Sequence, residues 1–123
     1  WDLRQESKDR YSTVFVEGPD GVFLSLTMYG VEMEPAQLSA SLLETMKTQF
    51  TVVAVTPLQD TIAGYTAMGY KLSFKHMGVP MTSTVLSFRG GKASFTLYTQ
   101  AADDDLDVVQ PGFDLIKNSL TVK

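Results

Sequence analysis

An α+β fold, with helices packed on a mostly antiparallel sheet, is what this sequence predicts, and three observations carry the prediction. Residues 61–74 (TIAGYTAMGYKLSF) hold a strand in which Met68, Tyr70, Leu72 and Phe74 point one way and Ala67, Gly69, Lys71 and Ser73 the other. Further alternating runs lie on either side, separated by tight turns, which makes neighbouring strands antiparallel. Two other segments repeat their apolar residues every three or four positions, and each such stripe needs a sheet to cover. The expected order is an N-terminal hairpin, a helix, a four-strand meander and a C-terminal helix.

Taken in order, residues 1–10 (WDLRQESKDR) are polar and charged with no clean period. They read as a flexible lead-in to one domain over residues 11–123. Residues 11–16 form a short β-rich run. Gly18-Pro19-Asp20-Gly21 follows with strong turn chemistry, because Pro fixes φ and Asp-Gly tolerates positive φ. Val22, Leu24, Leu26 and Met28 then alternate against Phe23, Ser25, Thr27 and Tyr29, which completes a β-hairpin. Glu34-Pro35 opens a helix to Gln49, whose stripe is Leu38, Leu42, Leu43, Met46 and Phe50.

The β-branched cluster at 51–56 becomes a strand, and Pro57 ends it or confines it to a sheet edge. After the central strand, Gly78-Val79-Pro80 makes a turn. In residues 81–88, Thr84, Leu86 and Phe88 oppose Ser83, Val85 and Ser87. Arg89-Gly90-Gly91-Lys92 is a hairpin loop, and residues 93–99 pair back with Phe95 and Leu97 inward. Asp103-Asp104-Asp105 leads into the last helix, with Leu106, Val109, Phe113, Ile116 and Leu120 as its stripe. Pro111 places its start near Gln110, or else separates an earlier turn from it. Thr121-Val122 can add a final strand residue or two.

The bulk numbers exclude several classes. At 123 residues the chain buries a real core without disulfides or metal. Its 44% hydrophobic and 20% charged residues exclude disorder and fibres. A net charge of -4 with lysines and arginines as scattered singles argues against nucleic acid and against a polybasic membrane patch. With no cysteine there is no disulfide, thiolate nucleophile or sulfur-based zinc site. No apolar run approaches the roughly 18 residues of a membrane helix. The chain begins at Trp1 rather than Met, so a removed N-terminal segment is expected before it.

No catalytic constellation stands out, and no cofactor or metal is implied. His76 is the only histidine, which rules out a two-histidine metal pair. It is read as a half-exposed residue beside a turn rather than a general base. No serine sits in Gly-x-Ser-x-Gly, and no glycine spacing matches a phosphate loop or dinucleotide fingerprint. Asp103, Asp104, Asp105 and Asp107 lack the Gly and distant Glu of a calcium loop, and they suit a helix start instead.

Six methionines point elsewhere, since Met-rich surfaces accept varied apolar partners. Met28 and Met68 fall in apolar phase and are expected in the core. Met33, Met77 and Met81 lie near strand ends and can line a groove between helix and sheet. Phe23, Tyr29 and Tyr98 fall opposite the apolar phase of their strands. They are candidates for a partner site unless helices cover both faces of the sheet. Phe23, Tyr29, Met33, His76, Met77, Met81 and Tyr98 are therefore the expected partner or ligand surface.

Two short motifs carry a resemblance. Thr61-Ile62-Ala63-Gly64-Tyr65-Thr66-Ala67 resembles the turn into the central strand of the PsbP-like superfamily. Phe113-Asp114-Leu115-Ile116-Lys117-Asn118-Ser119-Leu120 resembles that group's closing helix, and the order of elements matches from Tyr11 to Val122. The superfamily includes extrinsic photosystem proteins, Ran-binding Mog-type proteins and DcrB-type lipoproteins. The resemblance implies a non-enzymatic accessory or protein-binding domain outside the cytoplasm, and it carries no functional residue onto this chain. The alternative is a carrier or chaperone for apolar ligands or hydrophobic segments, working through the Met-lined groove.

Overall fold

In the computed structural model, residues 2–8, 11–18, 22–29, 34–90 and 93–119 are described. Residues 2–8, 11, 12, 15 and 119 are described as backbone alone. The elements are β1 (Asp2–Lys8), β2 (Tyr11–Glu17), β3 (Phe23–Tyr29), α1 (Pro35–Gln49), β4 (Thr51–Ile62), β5 (Tyr65–His76), β6 (Val79–Gly90), β7 (Ala93–Ala102) and α2 (Asp103–Ser119). The strands form one sheet in the order β1-β2-β3-β7-β6-β5-β4, with every neighbouring pair antiparallel. The α+β class and its antiparallel sheet are as expected.

The two helices cover opposite faces. Period-two alternation in β6 sends Met81 and Val85 to a core with Leu43 and Met46 of α1, and with Leu72 and Phe74 of β5. Leu86 and Phe88, in the other phase, meet Phe95, Leu97 and Phe113, with Leu106, Val109 and Ile116 of α2 packed on. β6 and β7 are thus buried on both faces, and a strand buried on both faces reads as near-continuous burial rather than alternation. A buried serine anchors α1. The Ser39 hydroxyl donates to the Met68 carbonyl at 2.8 Å and lies 2.7 Å from the Ser87 hydroxyl, itself 3.0 Å from that of Thr96.

Several local expectations change. Residues 2–8, expected within a flexible lead-in, are an edge strand paired along its length with β2. A ladder satisfies backbone groups whatever the side chains are, and charged residues such as Asp2, Arg4, Glu6 and Lys8 are what sheet edges tolerate. β4 runs through Pro57 to Ile62, which is possible because it is the opposite edge, where a missing N–H can face solvent. α2 starts at Asp103 and carries Pro111 inside it, so neither expected start holds. Packing of Leu106, Val109 and Phe113 on one core outweighs the lost hydrogen bond, and three aspartates in its first turn suit the helix dipole.

The turn expected at Gly78-Val79-Pro80 lies one residue earlier, at Met77-Gly78, and it mirrors Ala63-Gly64 in the preceding hairpin. All four residues have φ between 52 and 83°, the left-handed pair that suits twisted two-residue hairpins. Met28 and Met68, expected in the core, are each 42% exposed. The expected turn at 18–21, the loop tip at 91–92, and Leu120 to Val122 fall outside the described residues in whole or in part.

Candidate functional site

The expected surface residues do not form one groove. Met81 is a correction to that expectation: it is 4% exposed and belongs to the core under α1, packed with Phe74 and Val85. Its register opposite Phe74 and Ala102 turns it inward. Met33 lies outside the described residues. Phe23 and Tyr98 are half-buried and meet edge to face, with ring centroids 5.8 Å apart. The Tyr98 hydroxyl donates to Gln100 Oε1 at 2.6 Å and lies 3.1 Å from the Ser83 hydroxyl. Burial pushes the phenol up from its ordinary pKa, so Tyr98 acts as a neutral hydrogen-bonding group. Tyr29 is at the far end of β3, opposite Ser94, six residues and roughly 20 Å from Phe23 along the strand.

His76 and Met77 do come together, at the tip of the β5–β6 hairpin. The turn is two residues long, so His76 pairs directly with Val79 and the tip has no slack. Phe50, the C-terminal cap of α1, sends its N–H to the Met46 carbonyl at 2.8 Å. Its ring packs on Phe74 at 4.8 Å and meets the His76 ring edge to face at 5.6 Å. The end of α1 is thereby fastened to the hairpin. Met77 is 91% exposed and Val79 46%, and exposed Val53 occupies a β-bulge of β4 at the same end of the sheet. Sequence reading found His76 and Met77 but missed Phe50 and Val79. Phe50 closes the helical stripe, and Val79 falls within an expected turn.

Among the described residues no carboxylate or hydroxyl hydrogen-bonds to His76, and no three His, Asp or Glu side chains gather to hold a metal. The arrangement is an apolar, aromatic projection on a rigid base.

A second feature lies on the opposite face. Between α2 and the β4–β5 side of the sheet is a cleft of about 260 Å³, lined by Leu58, Lys71, Thr84, Leu86, Leu97 and Phe113 among others. The Lys117 ammonium of α2 donates to Asp60 Oδ2 of β4 at 2.6 Å across the cleft, with Asp114 Oδ1 at 3.9 Å. The hydrogen bond from Lys117 holds the Asp60 carboxyl below its ordinary value, and the Thr61 N–H adds to that, whereas partial burial works against it. A carboxyl whose pKa is depressed on folding adds stability above its unfolded value. That contribution is lost as the pH falls through the lower, folded value. Asp60→Asn is therefore expected to lower stability at pH 7 and to flatten the loss on acidification below about pH 4. Urea unfolding across that range checks it, and parallel curves for the two proteins would contradict the assignment.

No protein-family model matches the chain, and no curated protein matches it significantly. Solved structures do match. PA94, a protein of unknown function from Pseudomonas aeruginosa, superposes with a TM-score of 0.65 at 13% identity, covering 98% of this chain and 97% of that one. LpqN of Mycobacterium tuberculosis, described as involved in cell envelope biogenesis, gives 0.65 at 13% identity, covering 97% and 82%. Likeness at that identity is one of fold. A cyanobacterial PsbP (CyanoP) from Synechocystis aligns at 0.49 and 13% identity, covering 98% and 92%.

Proposed function

We propose that the protein is a non-catalytic accessory module that works outside the cytoplasm and docks a protein partner at the β5–β6 hairpin tip. One observation carries this reading: Met77 and Val79 are exposed on a base held rigid by the Phe50–Phe74–His76 ring cluster. A preorganised support spares the complex the cost of ordering the backbone beneath these apolar side chains, which is what an interface anchor requires. The fold likeness to LpqN, described as involved in cell envelope biogenesis, supports the extracytoplasmic setting. The alternative reading, a carrier for apolar ligands, draws its support from the cleft under α2 rather than from a methionine groove.

A photo-crosslinking side chain at position 77, with position 104 on α2 as the control, tests the docking reading in intact cells. The expected result is one discrete adduct from position 77 that Val79→Asp abolishes. Val79→Asp should leave unfolding within about 0.5 kcal/mol of the parent, as exposed substitutions do. Equal labelling from both positions would remove this surface from consideration. A turnover activity lost in His76→Ala would overturn the non-catalytic reading itself.

A further inference from the structure

The cleft under α2 has a floor whose rows differ in chemistry. Lys71, Thr84 and Thr99 stand abreast on β5, β6 and β7, with exposed Thr56 of β4 beyond Lys71 outside the cleft. The next row on the same face, two residues or roughly 7 Å along, is Leu58, Gly69, Leu86 and Leu97. Gly69 contributes no side chain between Leu58 and Leu86, and Leu106 and Phe113 of α2 face this apolar row across the cleft. One polar row with a single cation therefore borders one apolar row under an apolar wall.

Most polar groups lining the cleft have partners. Lys117 binds Asp60, Gln110 Nε2 donates to Asp114 Oδ1 at 3.0 Å, and the Thr82 hydroxyl donates to Asp103 Oδ1 at 2.6 Å. Thr84 and Thr99 hydrogen-bond to each other. The Lys71 ammonium, with three donors, has no hydrogen-bond or ion-pair partner among the described residues. The two carboxylates lining the cleft, Asp60 and Asp114, both lie against Lys117, so Lys71, exposed at the cleft mouth, is the ammonium left to meet a ligand beside two hydroxyls and an apolar slot.

We infer that this cleft binds a small monocarboxylate with an apolar body. The carboxylate sits against Lys71 and the Thr84–Thr99 hydroxyls, and the body lies over Leu86 and Leu97 beneath Phe113. A charged hydrogen bond at the head and apolar burial of the body act at adjacent rows, so a ligand needs both ends to gain from both. The volume lies just below the roughly 300–1,000 Å³ of typical ligand sites, which limits the body to a short chain or a single ring. This site lies on the face opposite α1 and does not depend on docking at the hairpin tip.

Amide-resolved NMR titration of the whole chain with octanoate, octanol and octylammonium tests the inference. Octanoate is expected to shift Thr84, Leu86, Leu97, Thr99 and Phe113, and to bind about tenfold or more tighter than the other two probes. Lys71→Gln should weaken octanoate by about the same factor and leave octanol and the unfolding midpoint unchanged, and Lys71→Arg should restore most of the octanoate binding. Octanoate shifts that are absent or fall elsewhere would overturn the site. Equal binding of all three probes, or no effect of Lys71→Gln, would overturn the carboxylate assignment. Octanoate binding that survives Val79→Asp shows that the cleft and the hairpin tip stand or fall separately.

Discussion

Phe88→Ala is expected to lower the free energy of unfolding by about 4 kcal/mol, as large-to-small changes at buried aromatics do. Phe88 is 1% exposed, on β6 between β7 and β5. Its ring stacks on Phe95 at 5.0 Å and 10°, and on Tyr65 at 6.1 Å and 17°. Removing it withdraws the middle ring of that stack. Rigid strands on both sides cannot close the gap, so the cavity penalty adds to the lost transfer energy. A loss of that size is a large share of the roughly 5–15 kcal/mol that holds a domain together. Urea unfolding of purified Phe88→Ala checks it, and a change under about 1 kcal/mol would show that this core is loosely packed.

Gly69→Ala is expected to cost about 3 kcal/mol, although it adds a single methyl group. A Cβ on Gly69 would sit 1.6 Å from the Val85 carbonyl oxygen and 2.7 Å from its carbon. Both atoms are backbone in β6, so no rotamer change relieves the clash. The ladder between β5 and β6 must part locally, and both cores rest on it. Gly112→Ala on α2 makes a sharp comparison: a Cβ there meets nothing within 4 Å, and Ala is the better helix former. Thermal unfolding of the two variants should move in opposite directions. A Gly69→Ala protein as stable as its parent would mean that β5 and β6 approach less closely than described here.

Several features of the fold were legible before any coordinates. The apolar phases of residues 70–74 and 84–88 and the stripes of both helices are direct consequences of period-two and period-3.6 geometry. So is the meander that the tight turns impose. What failed were the inferences from a single strand's phase. Met28 and Met68 have apolar phase yet stand exposed, because a strand's alternation says which face a residue takes and not how much covers it there. The charged strand 2–8 was missed for a related reason, since backbone pairing leaves no period in the side chains.

The candidate sites divide along the same line. His76 and Met77 are neighbours in sequence at a turn, so the hairpin tip could be partly found by reading. Phe50 joins it only because α1 ends above Phe74. The cleft row of Lys71, Thr84 and Thr99 draws one residue from each of three strands, and its members become neighbours only once both registers are set. By itself, then, the sequence determined the apolar stripes of both helices and the strands of the meander, and that no metal or thiolate chemistry is built on cysteine. Tertiary structure alone decided which face each helix covers, which methionines are core, and where Lys71 meets an apolar slot. Local periodicity is a property of a few consecutive residues, whereas burial and register depend on groups far apart in the chain.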